Sequence, residues 1–332
     1  MQNIGVVGAG AWGTALAQAL AQGGRDVLIW AREPEVVQSI NGTNENASFM
    51  PGVKLDEKVK ATDSISQLSA CDTLLIVTPA QHVRSTLESL KGDIAEGKPV
   101  VICAKGIELS TGLLMSQVAE EEVPKATIAI LTGPTFASEI ATGKPSAVTI
   151  AARDKDVAQE IREGLASRNL RTYMTDDLYG AQIGGAIKNV IAIACGAIIG
   201  RGLGESARAA LLTRGLAEMS RLAMAMGAKK ETLMGMCGVG DLVLTCTSMQ
   251  SRNYSLGHML GEGRTLEEIM NERQGKAVTE GVHTAEALVT MARKHAVEMP
   301  ICETVHKCVS GEYDIDAAIS AMLDRPLRRP EA

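Results

Sequence analysis

The sequence predicts an α/β chain in two parts, a strand-and-helix half to about residue 176 and an all-helical half from 177 to 332. Three observations carry that expectation. From the N-terminus to about Thr175, short β-branched runs alternate with helical patterns, as in a parallel sheet covered by helices. After Asp176 the β-rich runs stop, and Ala, Leu, Met and Gly at helical spacing continue to the end. The length of 332 residues also exceeds what one hydrophobic core supports.

In chain order the predicted strands are Ile4–Val7, Val27–Trp30, Thr73–Val77, Val100–Cys103, Thr127–Leu131, Ala147–Ile150 and Arg171–Met174. Runs this apolar suit a parallel sheet buried on both faces. Ligand chemistry is expected in the cleft between the halves, beyond the carboxyl ends of the strands. The apolar start, Ile4 to Ala21, reads as strand, turn and helix rather than a signal peptide, because no Lys or Arg precedes it and glycines interrupt it. Gly184 to Gly200 is also apolar. It is short for a membrane span of about 20 residues and carries Lys188, so it reads as a buried core helix.

Composition excludes several classes. With 45% apolar residues, an even scatter of charge and no internal repeat, nothing marks a disordered or low-complexity segment. A formal charge of −6 argues against a nucleic-acid binder that relies on broad phosphate neutralisation, and 2% aromatic residues leave little for base stacking. An anionic ligand therefore needs a local cluster. The 7 cysteines are odd in number and form no C-x-x-C pair, which points to free thiols in a reducing, cytoplasmic compartment. The 5 histidines show no ligand spacing, and no metal is expected.

The strongest local signal is Gly8-Ala9-Gly10-Ala11-Trp12-Gly13, placed between the strand Ile4–Val7 and the periodic stretch Thr14 to Leu20. Gly8 allows a tight turn, Gly10 lets backbone approach a pyrophosphate, and Gly13 permits close helix packing. The helix N-terminus supplies N–H groups and partial positive charge. The first half is thus a Rossmann-like dinucleotide-binding domain. Its second strand ends Trp30-Ala31-Arg32 where an acidic residue would hold the ribose hydroxyls of NAD. A guanidinium there can meet a 2′-phosphate, so NADPH is expected to be preferred over NADH. The alternative is a solvated Arg32 with Glu33 beside it.

Lys105-Gly106-Ile107-Glu108 and Gly133-Pro134-Thr135-Phe136-Ala137 follow predicted strands, where an open α/β sheet binds its ligand. Lys188-Asn189 puts a cation inside an apolar helix, where an unpartnered ammonium is costly. Asp241, in Gly238-Val239-Gly240-Asp241-Leu242, is a carboxylate able to orient such a lysine, or else a helix cap. Ser251-Arg252-Asn253 occupies a polar gap where a guanidinium, an amide, a hydroxyl and backbone N–H groups suit a dianion such as a phosphate; a plain capping turn is the other reading.

Together and in order, these segments resemble the bacterial-type NAD(P)-dependent glycerol-3-phosphate dehydrogenases over nearly the whole chain. The likeness rests on the turn Gly8 to Gly13 with Thr14-Ala15, on the segments at Lys105, Gly133, Lys188, Gly238 and Ser251, and on Val278-Thr279-Glu280-Gly281. It implies that Lys188 is the catalytic acid/base, with Lys105 and Asp241 beside it. It implies that substrate is held by Lys105, Gly133, Thr135, Lys188, Asp241, Thr245, Ser251, Arg252 and Asn253. Cofactor contacts are implied for Gly8, Gly10, Ala11, Trp12, Gly13, Arg32, Lys105, Ala137, Arg252, Val278 and Glu280.

These roles suit ketone reduction, in which an ammonium aimed at the carbonyl oxygen stabilises the growing charge and delivers the proton. Lys105 nearby would disfavour the charged form of Lys188, and Asp241 would favour it. The resemblance also implies a homodimer and a role in supplying glycerol 3-phosphate for phospholipid synthesis, while the residues themselves lead to the expectation of no membrane anchor. Two rival readings stand beside it: a ketopantoate-reductase-like or β-hydroxyacid enzyme, and a non-catalytic NADPH-sensing module.

Overall fold

The computed structural model describes residues 1–273 and 279–324. One eight-stranded sheet holds β1 (Asn3–Val7), β2 (Asp26–Trp30), β3 (Val59–Thr62), β4 (Thr73–Ile76), β5 (Pro99–Ile102), β6 (Thr127–Thr132), β7 (Ser146–Ala152) and β8 (Leu170–Thr175). Their spatial order is β3-β2-β1-β4-β5-β6-β7-β8. Strand β1 is buried at every residue after Asn3 and lies between parallel neighbours, with Val6 opposite Ile29 of β2 and Leu75 of β4. The strand order reverses at β1 and β4, and the crevice at such a switch point is where an open α/β sheet takes its ligand.

Two features depart from the sequence expectation. The short strand β3 pairs with β2 through Val27 and Val59, yet its Val-Lys-Ala-Thr run is too brief and too mixed to stand out from the polar segment before it. The sheet is also mixed rather than all-parallel: β7 runs antiparallel to β6, with Thr132 opposite Thr149, and β8 runs parallel to β7. The helix between β6 and β7, Ala137–Ala141, has 5 residues. A parallel return needs a crossover of about a dozen residues or more, usually a full helix. This connection is too short in helix to cross the sheet, so β7 re-enters at the edge where β6 ends.

Helices cover the sheet with small and branched side chains. Leu16 and Leu20 of the helix Ala11–Gln22 join Ile4, Val6 and Ile29 in one core cluster. Each such side chain, fully buried, is worth about 1.5–3 kcal/mol.

By contacts the chain divides into two compact units, Met1–Lys105 with Leu113–Ala181, and Gly106–Gly112 with Gln182–Ala332. This differs from a single cut at 176 in that the short segment after Lys105 belongs with the helical unit. Of the helices, Leu178–Gly200 has 23 residues, and its most apolar window is 83% buried within the fold. It meets the helix Arg252–Gly261 at close range. A side chain at Gly196 would lie 2.0 Å from the Tyr254 carbonyl oxygen, and one at Gly257 would lie 1.9 Å from that of Ile193. Glycine on both helices is what lets their backbones touch. All seven cysteines are free, and burial pushes the thiols of Cys103, Cys246 and Cys302 above their ordinary value.

Candidate active site

In the first unit the glycine turn is built as its sequence requires. Gly8 leaves β1 with φ +116°, and its N–H donates to the Trp30 carbonyl at 3.1 Å. A Cβ at Gly13 would stand 1.9 Å from the Gly8 carbonyl oxygen, so a larger residue would push the helix off the turn. A Cβ at Gly10 would meet nothing within 4 Å, which leaves open space above the turn. The N–H groups of Ala11, Trp12 and Gly13 open the helix Ala11–Gln22 and find no acceptor among the described residues. Open space over unsatisfied donors at a helix N-terminus fits a dinucleotide pyrophosphate. At the end of β2, Arg32 is 81% exposed and pairs with Glu33 at 3.1 Å.

Elsewhere in this unit, Lys105 Nζ donates to the Gly133 carbonyl at 3.2 Å, and the Thr135 hydroxyl donates to the same oxygen at 3.5 Å. The loops after β5 and β6 are thereby tied together at the edge where those strands end. Ala137 starts the helix Ala137–Ala141.

In the second unit, Lys188 lies within the helix Leu178–Gly200 and is only 6% exposed. Its ammonium donates to Asp241 Oδ1 in a close ion pair, and to Thr245 Oγ1 at 2.9 Å. Asp241 is fully buried and Thr245 nearly so. They lie four residues apart on the helix Asp241–Cys246, which puts both on one face. The approach depends on Gly184, one turn before Lys188, where a Cβ would be 2.4 Å from the Cys237 carbonyl oxygen. Asp241, the first residue of its helix, thus pairs with the lysine. A buried pair of this kind adds little net stability, yet removing one partner typically costs about 3–5 kcal/mol.

The remaining predicted residues gather around the N-termini of two helices. Ser251 caps the helix Arg252–Gly261, its Oγ accepting from the Tyr254 N–H at 3.2 Å. Asn253 Oδ1 accepts the Gly281 N–H at 3.0 Å, and Asn189 Nδ2 donates to Glu280 Oε2 at 3.4 Å. Val278 lies outside the described residues.

Arg273, which the sequence reading missed, donates to the Arg252 carbonyl at 3.0 Å and to Thr279 Oγ1 at 3.2 Å. Burial first, and then the Arg252 guanidinium, lower its proton affinity, the mark of positive charge gathered without full compensation. Nothing in its local sequence, Asn271-Glu272-Arg273-Gln274, distinguishes it from a surface arginine.

A dinucleotide turn and a buried lysine oriented by a carboxylate define an NAD(P)-dependent oxidoreductase acting on a CH–OH group. Models of the N-terminus and C-terminus of NAD-dependent glycerol-3-phosphate dehydrogenase match residues 3–158 and 177–320. The chain belongs to that family. It is 54% identical to glycerol-3-phosphate dehydrogenase [NAD(P)+] of Parvibaculum lavamentivorans, covering 98% of each chain. It is 52% identical to that of Rhodospirillum rubrum, covering 99% of this chain and 94% of the relative. The crystal structure of glycerol-3-phosphate dehydrogenase from Coxiella burnetii superposes with a TM-score of 0.93 at 35% identity, over 98% of this chain and 99% of that one.

Proposed function

We propose that the protein interconverts dihydroxyacetone phosphate and sn-glycerol 3-phosphate, with Lys188 as the acid/base. The observation that carries this reading is the buried contact of Lys188 with Asp241 and Thr245. When bound, the reduced nicotinamide supplies the hydride. Lys188 donates to the ketone oxygen, stabilises the negative charge that grows there and delivers the proton; in the opposite direction its amine receives the alcohol proton. Asp241 and Thr245 each accept from this ammonium, which restrains where the group points.

Arg252, Asn253 and Ser251 receive the phosphate at the N-terminus of their helix, where backbone N–H groups and the guanidinium favour a dianion. Arg273 beside them adds to the positive potential. Lys105, Gly133 and Thr135 contribute further substrate contacts. The turn Gly8 to Gly13 takes the pyrophosphate, Arg32 favours NADPH by meeting its 2′-phosphate, and Ala137, Val278 and Glu280 complete the cofactor contacts. On the same reading the protein is a cytoplasmic homodimer without a membrane anchor, and its product feeds phospholipid synthesis.

The test is NADPH and NADH oxidation by the purified protein with dihydroxyacetone phosphate, unphosphorylated dihydroxyacetone and ketopantoate. Turnover confined to the phosphate is expected. Equal rates on dihydroxyacetone would remove the phosphate site, and turnover on ketopantoate alone would overturn the substrate assignment.

A further inference from the structure

Between the helix Pro34–Thr43 and β3 the chain makes an excursion, residues 44 to 58, that no part of the chemistry above uses. It is fastened to the dinucleotide turn. Asn46 is fully buried, and its Nδ2 donates both to the Ala9 carbonyl and to Thr14 Oγ1, each at 2.8 Å. Its Oδ1 accepts the Phe49 N–H at 3.1 Å, and its own carbonyl accepts the Met50 N–H at 2.8 Å. Thr14 Oγ1 donates to the same Ala9 oxygen at 3.2 Å. One turn further along that helix face, Gln18 grips the excursion again, donating to the Lys54 carbonyl at 3.3 Å and accepting the Asp56 N–H at 2.7 Å.

The consequence follows from peptide geometry. In a planar trans peptide the C=O and the N–H point in opposite directions. With the Ala9 carbonyl drawn inward by two donors, the N–H of Gly10, in the same peptide, is turned outward to the open side of the turn. Left alone, that peptide has Gly10, a residue without a Cβ, on one side and is more easily rotated than one between two substituted residues. A rotated peptide would present a carbonyl oxygen to the pyrophosphate in place of a donor.

We propose that Asn46 is a positioning residue for cofactor binding: its carboxamide, held against Ala9 and Thr14, sets the Ala9–Gly10 peptide so that the Gly10 N–H faces the pyrophosphate. The proposal rests on the turn being the dinucleotide cradle. Fully buried, Asn46 acts through this peptide, and the excursion is a brace on a turn whose donors are all backbone.

The experiment compares N46D, T14V and T14S with the parent protein. Dissociation constants for NADPH and NADH are read from quenching of Trp12 and Trp30, beside KM for dihydroxyacetone phosphate, kcat at saturating cofactor and Tm. Asp at 46 keeps the size and the acceptor but, when ionised, cannot donate to Ala9, so binding is measured well above the pH at which a buried carboxyl is protonated. N46D is expected to weaken both cofactors about tenfold or more, as loss of a hydrogen bond or two predicts, with KM for the ketone and kcat within about twofold. T14V is expected to weaken them about threefold, and T14S, which restores the hydroxyl, to bind like the parent. Should N46D not fold, the T14V and T14S pair decides by the same criterion. Cofactor binding unchanged in N46D and T14V, or KM for the ketone rising in step with the cofactor constants, overturns the proposal. A parent protein that binds neither cofactor would instead defeat the cradle reading itself.

Discussion

The dinucleotide turn and the lysine site are made from opposite materials. At the turn, the donors are backbone N–H groups, and side chains such as Asn46 and Thr14 hold the backbone in place. At Lys188 the group proposed to act is a side chain, and backbone closeness at Gly184 brings its partners within reach. A site of backbone donors depends on shape and tolerates little added volume. One of buried charge depends on compensation and tolerates little loss of a partner.

The contrast can be broken by substitutions, the largest effect coming first. In G13A a methyl group meets the Gly8 oxygen at a distance no contact permits, so the first turn of the helix must shift. Cofactor affinity should fall on the order of 100-fold, equivalent to losing two charge-assisted hydrogen bonds, and Tm should fall with it because the shifted turn belongs to a core-packed helix. Isothermal titration with NADPH checks this, and retention of affinity would show that the N–H groups are not the anchor.

At the phosphate end, R252A should raise KM for dihydroxyacetone phosphate about tenfold or more, the value of one charge-assisted contact. A smaller effect is expected for R32A, a few-fold to about tenfold on NADPH and little on NADH, because this exposed side chain contacts one phosphate in water. Equal loss for both cofactors would return Arg32 to the surface pair with Glu33.

A separate effect, on stability and not on binding, concerns Glu218, a buried carboxylate that accepts the N–H groups of Ile301 and Cys302 at 2.8 and 3.3 Å. Burial pushes its carboxyl up to about 7, against those two hydrogen bonds and Arg221. Since the folded value lies above the ordinary 4.5, the stabilising contribution of the protonated form is complete below about pH 4.5 and is lost as pH rises toward 7. The stability of the parent relative to E218Q should therefore fall across that window, by at most about 3 kcal/mol. Parallel pH profiles for the two proteins would remove Glu218 from this account.

Legibility in the sequence follows the same contrast. The turn could be read because its glycines are required one by one by local geometry and lie together between a strand and a helix. Lys188 could be read because a cation in an apolar helix is an anomaly, and Asp241 because it completes the pair. The direction of β7 could not be read, since an apolar strand has the same sequence whichever way it runs; only the brevity of the helix Ala137–Ala141 hints at it. Asn46 and Arg273 were missed for a related reason. Their contacts are long-range, Asn46 reaching back 37 residues to Ala9, and neither stands in a periodic or glycine-rich setting.

On the proposed function, cofactor binding and proton transfer are carried by separate groups. The direct test is K188M, an apolar replacement of similar length, with the NADPH dissociation constant and kcat measured on the same preparation. NADPH affinity is expected within about twofold of the parent and kcat lowered by about 10² to 10⁴, the range for a lost general acid. A kcat close to the parent's, or affinity and kcat falling together in a protein that remains folded, would contradict that reading.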